Sequence, residues 1–143
     1  MRSEDTADFH IRWSWYNISR MYNLKANEFG ATMANGYALL NIDKEGTPST
    51  KLGPSMGMEA TSLSRSLNKL EALKIIERKK DPNDKRKSII HLTPLGIQSR
   101  EVAKLTVIEF NENIQSHFKK EEIDTFFSVL KKINKIIDKK INS

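Results

Sequence analysis

The chain has 143 residues, of which 38% are apolar and 29% charged, with a net charge of +6 and no cysteine. That length suits one ordinary domain with its own core, and the missing cysteines exclude a disulfide framework, a thiol nucleophile or redox sensor and any cysteine-bearing zinc site. No apolar run reaches the ~18 residues of a membrane span and the N-terminus lacks a signal-peptide core, so the expectation is a cytoplasmic protein without membrane association.

From Asp8 to Lys25, Ile11, Trp15, Ile18 and Tyr22 recur at helical spacing, and Phe9, Trp13, Tyr16 and Met21 widen the stripe. Such a helix is expected to bury much of its circumference, against the body of the domain or a second subunit. A second helix is expected over residues 29–43, with Met33, Tyr37, Leu39 and Leu40 inward, broken by Lys44-Glu45-Gly46. Thr47-Pro48 reads as an N-cap followed by proline at the first helical position. The helix it opens is short, because Gly53, Pro54 and Gly57 oppose extension.

A fourth helix, Glu59 to Leu73, sets Leu63, Leu67, Leu70 and Leu73 on one side and Thr61, Ser62, Ser64, Arg65, Asn68 and Lys69 on the other. Residues 75–79 and 88–92 are predicted strands around the turn-forming Asp81-Pro82-Asn83-Asp84, with Lys85-Arg86-Lys87 beside the turn. Thr93-Pro94 repeats the cap-and-proline signal and opens a long helix to about His117. The last helix, Glu121 to Ile141, carries Ile123, Phe126, Phe127, Leu130, Ile133, Ile137 and Ile141 on one stripe. The expected fold is a single domain over residues 1–143, mainly α with a small β-wing, ordered α-α-α-α-β-β-α-α.

The charge is localised: from Arg65 to Lys87 nine basic residues stand against four acidic ones, which accounts for most of the net +6. Concentrated cations suit a polyanion-binding surface, since attraction needs several charges facing one groove; a solvated charged face is the alternative. A short helix, a tight turn, a helix with a small-polar and basic face and then a basic hairpin make a winged helix-turn-helix. The major groove, about 12 Å wide, admits one helix, and arginine is the side chain best suited to a guanine edge. The hairpin can reach the flanking minor groove, whose negative potential favours arginine. His10, His91 and His117 are isolated, and there is no phosphate loop, nucleophile elbow or carboxylate dyad. Neither an enzyme nor a cofactor or metal is expected.

The segment Thr47 to Gly96 resembles the DNA-binding core of the MarR (multiple-antibiotic-resistance regulator) family. The resemblance is carried by the wing Arg78-Lys79-Lys80-Asp81-Pro82-Asn83-Asp84-Lys85-Arg86 and by Ile90-His91-Leu92-Thr93-Pro94-Leu95-Gly96; the run Thr61-Ser62-Leu63-Ser64-Arg65-Ser66-Leu67 is similar too. It implies a homodimeric transcription regulator with its winged helix-turn-helix lobe over about 47–96 and dimerisation helices over about 8–25 and 94–141. By that likeness Arg86 enters the minor groove, and Asp84 shapes the wing by pairing with Arg86 or Arg78. Thr61, Ser62, Ser64, Arg65 and Lys69 map to the major-groove face, and Lys85 and Lys87 supply diffuse attraction to phosphates.

Two departures stand out. Gly53-Pro54 lies where a continuous short helix is usual, and Glu59 starts the recognition helix where serine is commoner. Glutamate there suits the helix dipole but repels phosphate. Members of the family commonly bind small, often aromatic or anionic, molecules, so a pocket with His10, Trp13, Arg20 and Tyr37 is an expectation, set against core packing of the same aromatics. The expected function is a ligand-responsive homodimeric repressor of a pseudo-palindromic double-stranded DNA site. The alternative is a winged-helix module whose basic wing binds an acidic protein partner.

Overall fold

Caps and turn-forming glycines cut the chain into six α-helices and three short strands in the computed structural model, which describes residues 1–143. After a 3-10 turn at Ser3–Asp5 come α1 (Ala7–Asn27), α2 (Met33–Leu40), β1 (Thr47–Pro48), α3 (Ser49–Met56) and α4 (Ala60–Ala72). Then follow β2 (Ile76–Lys80), β3 (Ser88–Leu92), α5 (Pro94–Gln115) and α6 (Lys120–Ile141). The chain divides into two compact units, residues 1–104 and 105–143, with the boundary inside α5.

In the first unit, α2 starts four residues later than the hydrophobic pattern suggests. Gly30, at φ +72°, turns the chain, and Thr32 becomes the N-cap. Its Oγ1 accepts from the Asn35 N–H at 3.3 Å while Asn35 Oδ1 accepts from the Thr32 N–H at 2.9 Å, a reciprocal cap that satisfies two helix-end donors. The inward face also differs. Asn35, Ala38 and Leu39 are buried and Tyr37 is exposed, because α2 packs on α4 and close helix contact favours the small Ala38 over an aromatic ring.

Thr47-Pro48 does not begin a helix. These residues pair antiparallel with Ile90 and Ile89 as an edge strand, giving the sheet order β1-β3-β2, a place where proline's missing N–H costs no ladder bond. The element order is therefore α-α-β-α-α-β-β-α-α. Thr47 Oγ1 instead accepts from the Asp43 N–H at 2.9 Å. The helix α3 accommodates Pro54 and stops at Gly57, whose φ of +63° is left-handed. Around it gathers the core: Leu52 and Met56 from α3, Leu63, Leu67 and Leu70 from α4, Ala38 and Leu39 from α2, then Ile42, Ile76 and Ile90.

Helix α4 ends in a Schellman turn: the Ile75 N–H donates to Leu70 O at 2.9 Å and the Lys74 N–H to Glu71 O at 3.0 Å, with Lys74 left-handed at φ +59°. The first turn of α5 docks on this junction. Thr93 Oγ1 donates to Lys74 O at 2.7 Å and accepts from the Gly96 N–H at 3.0 Å, and the Thr93 N–H donates to Ile75 O at 3.1 Å. A Cβ at position 96 would collide with the Ile75 carbonyl oxygen.

The aromatic stripe of α1 is not covered by its own chain. No residue of α1 is buried, and Trp13, Trp15 and Tyr16 are 50%, 58% and 55% exposed. Asn23 Oδ1, accepting from the Met33 N–H at 2.8 Å, ties α1 to α2, and partial burial pushes the pKa of the half-covered Tyr22 phenol above its ordinary range. In the second unit, Glu122 Oε1 accepts from the Lys119 N–H at 3.0 Å to start α6. Again no residue of the helix is buried, so Phe126, Phe127, Ile136, Ile137 and Ile141 are exposed. No helix is long and apolar enough to cross a membrane.

Candidate nucleic-acid interface

The helical period divides α4 cleanly. Leu63, Ser66, Leu67 and Leu70 are buried; Thr61, Ser62, Ser64, Arg65, Asn68 and Lys69 are exposed. Thr61, Arg65 and Asn68, at i, i+4 and i+7, form the stripe opposite the leucines, with Ser62 and Lys69 on one flank and Ser64 on the other. Arg65 makes no hydrogen bond or ion pair within the chain and so presents its full donor set. Thr61 and Ser62 do not cap the helix. Glu59 holds the N-cap position and its side chain makes no capping bond, which leaves the first-turn N–H groups without a side-chain acceptor.

The wing is β2 and β3 in register from Ile76↔Leu92 to Lys80↔Ser88. Its tip closes on two aspartates. Asp81 Oδ1 accepts from the Asn83 N–H at 2.8 Å, and the Asp81 N–H donates to Lys87 O at 3.0 Å. Asp84 Oδ1 accepts from the Arg86 N–H at 3.0 Å and lies 3.4 Å from Arg86 Nε. The tip thus holds Arg86 by its backbone while its side chain remains 93% exposed. An ion pair so solvated contributes little stability, and the guanidinium is free to exchange Asp84 for another acceptor. Lys79 pairs with Glu77 at 3.6 Å; Lys80, Lys85 and Lys87 are exposed.

Asp84 takes Arg86 as its partner and not Arg78. Arg78, in the middle of β2, is bonded to α4: its Nη2 donates to Asn68 Oδ1 at 2.6 Å and its Nε lies 3.5 Å from Glu71 Oε2. Of the two residues assigned to wing shape, one acts at the tip and the other joins the wing to the helix. Asn68 and Glu71 are not expected as partners of Arg78 from the sequence, nor is the role of Asn35, whose Nδ2 donates to Ser66 O at 3.4 Å and props the back of α4. The signal for that pair was present: one amide in the apolar run Met33–Leu40, and a serine on the leucine side of α4.

His10, Trp13, Arg20 and Tyr37 are not gathered around one cavity. His10 Nε2 bonds Glu4 O at 2.7 Å. Trp13 meets Phe9 and Tyr16 edge to face, and Tyr37 is exposed on α2. Arg20 borders a shallow groove of about 340 Å³ along α1 with Asn17, Met21, Leu24, Lys25 and Glu28. A second hollow, about 370 Å³, lies where Gly53-Pro54 and Gly57 turn into α4 and is lined also by Met58 and Leu63. No three His, Asp or Glu side chains come together in metal-holding geometry.

A two-helix motif whose second helix exposes a polar stripe, followed by a basic antiparallel wing, defines a winged helix-turn-helix DNA-binding protein. Residues 37–88 match the profile of the MarR family. The uncharacterised HTH-type transcriptional regulator YxaD of Bacillus subtilis (strain 168) is 31% identical over 103 residues, 71% of this chain and 72% of that protein. The fold is that of the Staphylococcus aureus MepR–DNA complex, with a TM-score of 0.84 at 22% identity over 91% of this chain and 97% of that one. It is also that of the Streptomyces coelicolor PcaV regulator bound to its natural ligand, with a TM-score of 0.80 at 18% identity over 94% and 96%. The chain belongs to the MarR family and is a DNA-binding transcriptional regulator.

Proposed function

We propose that this regulator works as a homodimeric repressor of a pseudo-palindromic duplex site and is released from it by a small ligand. The observation that carries the DNA-reading part is the wing tip, where Asp84 fixes the backbone of an Arg86 whose side chain is almost wholly exposed. Thr61, Ser62, Ser64, Arg65 and Lys69 face the major groove, Arg86 enters the minor groove, and Lys85 and Lys87 attract phosphates. The likeness to MepR, solved on DNA, supports this reading.

Dimerisation is supported by the apolar helices near the two ends of the chain. The helices α1 and α6 present apolar side chains with none buried in a single copy, and a second copy covers such stripes at the least cost in new surface. Two recognition helices about 34 Å apart then enter successive major grooves. A ligand that favours a different spacing weakens DNA binding by its differential affinity for the two states. PcaV was solved with a natural ligand; here His10, Trp13, Arg20 and Tyr37 would form a pocket only once a second copy completes it. The whole chain, residues 1–143, is the functional domain, acting in the cytoplasm where its operator lies.

The test is a fluorescence-anisotropy titration of a labelled duplex from the protein's own promoter region. Arg86→Ala should lose roughly 1–3 kcal/mol of binding, the usual size of a specific contact. Lys85→Ala should weaken all sequences alike and flatten the salt dependence by about one unit of slope. An unchanged dissociation constant for Arg86→Ala removes that residue from the interface, and wild-type binding without salt dependence returns the wing to an acidic protein partner.

A further inference from the structure

Asn68 lies on the outermost stripe of α4, one turn beyond Arg65 and two beyond Thr61, and is exposed. Its Oδ1 is engaged by Arg78 Nη2 at 2.6 Å, and Arg78 is held in turn by Glu71 at 3.5 Å. A guanidinium only donates, so the bond also fixes which end of the amide faces β2. The Asn68 Nδ2 group makes no hydrogen bond within the chain and retains both its donors.

An unrestrained asparagine in the major groove pairs with adenine, accepting from N6 and donating to N7. With its oxygen already shared with a guanidinium charge, Asn68 is a poor acceptor and keeps its donors. The purine edge offering acceptors alone is guanine, through O6 and N7. The adenine N6 amino group would instead have to share Oδ1 with Arg78, on its remaining lone pair and beside the guanidinium charge.

We propose that Asn68 is a specificity-determining residue that selects guanine, and that Arg78, braced by Glu71, is the positioning residue that denies it adenine. This rests on α4 entering the major groove. It differs from a general wing-to-helix brace because it concerns one base position in each half-site.

Selection of randomised duplexes by the full-length protein tests it, run on wild type, Asn68→Ala, Asn68→Asp and Arg78→Ala, with circular-dichroism melts of each. Wild type should prefer guanine at one half-site position by about tenfold, the size of a good base contact. Asn68→Ala should lose that preference and keep the rest of the motif, while Arg78→Ala should turn the same position toward adenine. Asn68→Asp keeps an oxygen for Arg78 but has no donors, and should lose guanine with its melt intact. This arm holds even if Arg78→Ala fails to fold. A motif unchanged in Asn68→Ala, or guanine retained in Asn68→Asp or in a folded Arg78→Ala, overturns the inference alone. A wild-type protein that enriches no motif overturns both it and the DNA-reading proposal.

Discussion

Glu59 shows how a single side chain can oppose the task of the helix it begins. It holds the N-cap of α4, where an oxygen normally accepts from the second or third N–H, yet its carboxylate bonds nothing. Glu59→Ser should gain roughly 0.5–1 kcal/mol of stability by capping, read by urea denaturation. If α4 enters the major groove as proposed, the same substitution should also tighten DNA binding several-fold, read by anisotropy, because a negative charge leaves the end of the helix nearest the phosphates. Stability raised with affinity unchanged would show that this end lies clear of the backbone. At this scale legibility depended on distance along the chain. The Asp84–Arg86 contact spans two residues and is visible as turn chemistry, whereas the partners of Arg78 lie ten and seven residues away, across a left-handed turn that nothing in the pattern announces.

That turn belongs to the next scale, where elements meet. Lys74 adopts φ +59° without being glycine, at a cost of about 1–2 kcal/mol for a residue with a Cβ. Lys74→Gly should therefore raise the denaturation midpoint by an amount worth about 1 kcal/mol, less what glycine loses through its freer unfolded chain. The opposite sign is expected at the other side of the junction. A methyl at Gly96 meets the Ile75 carbonyl, part of the backbone that cannot rotate away, so Gly96→Ala should cost roughly 1–3 kcal/mol by overpacking. A Gly96→Ala protein as stable as wild type would mean that the junction gives way. The hairpin, α4 and the long helices could be read from periodicity and turn residues. The strand β1 could not, since two residues have no period, and Thr47-Pro48 carries the same local signature as the true helix start at Thr93-Pro94.

At the scale of the molecule, periodicity revealed the apolar stripes of α1 and α6 but not what covers them, because a single sequence does not distinguish its own core from a copy of itself. Of the two covers expected for α1, the body of the domain leaves its aromatics exposed, and the dimer proposal assigns them to the second subunit. Ile137→Glu, on the exposed apolar stripe of α6, should shift the proposed dimer to monomer in sedimentation velocity at micromolar concentration. It should also lower affinity for a two-half-site duplex at least tenfold, since linkage to a second reading head raises effective concentration. A monomer that still binds such a duplex at wild-type strength would separate assembly from recognition.

The docking of Thr93 and Gly96 on residues 74 and 75 also bears on how force travels. The first turn of α5 is tied by two hydrogen bonds from Thr93 and a close approach of Gly96 to the Ile75 carbonyl to the joint where α4 ends and the wing begins. A twist of the first turn of α5 would act through that joint on α4 and the wing together, as a shaft turns the bit fixed to its end. On the proposed reading, one modest rotation would move the groove-facing side chains of α4 and the wing tip out of register together, without loosening any of them individually.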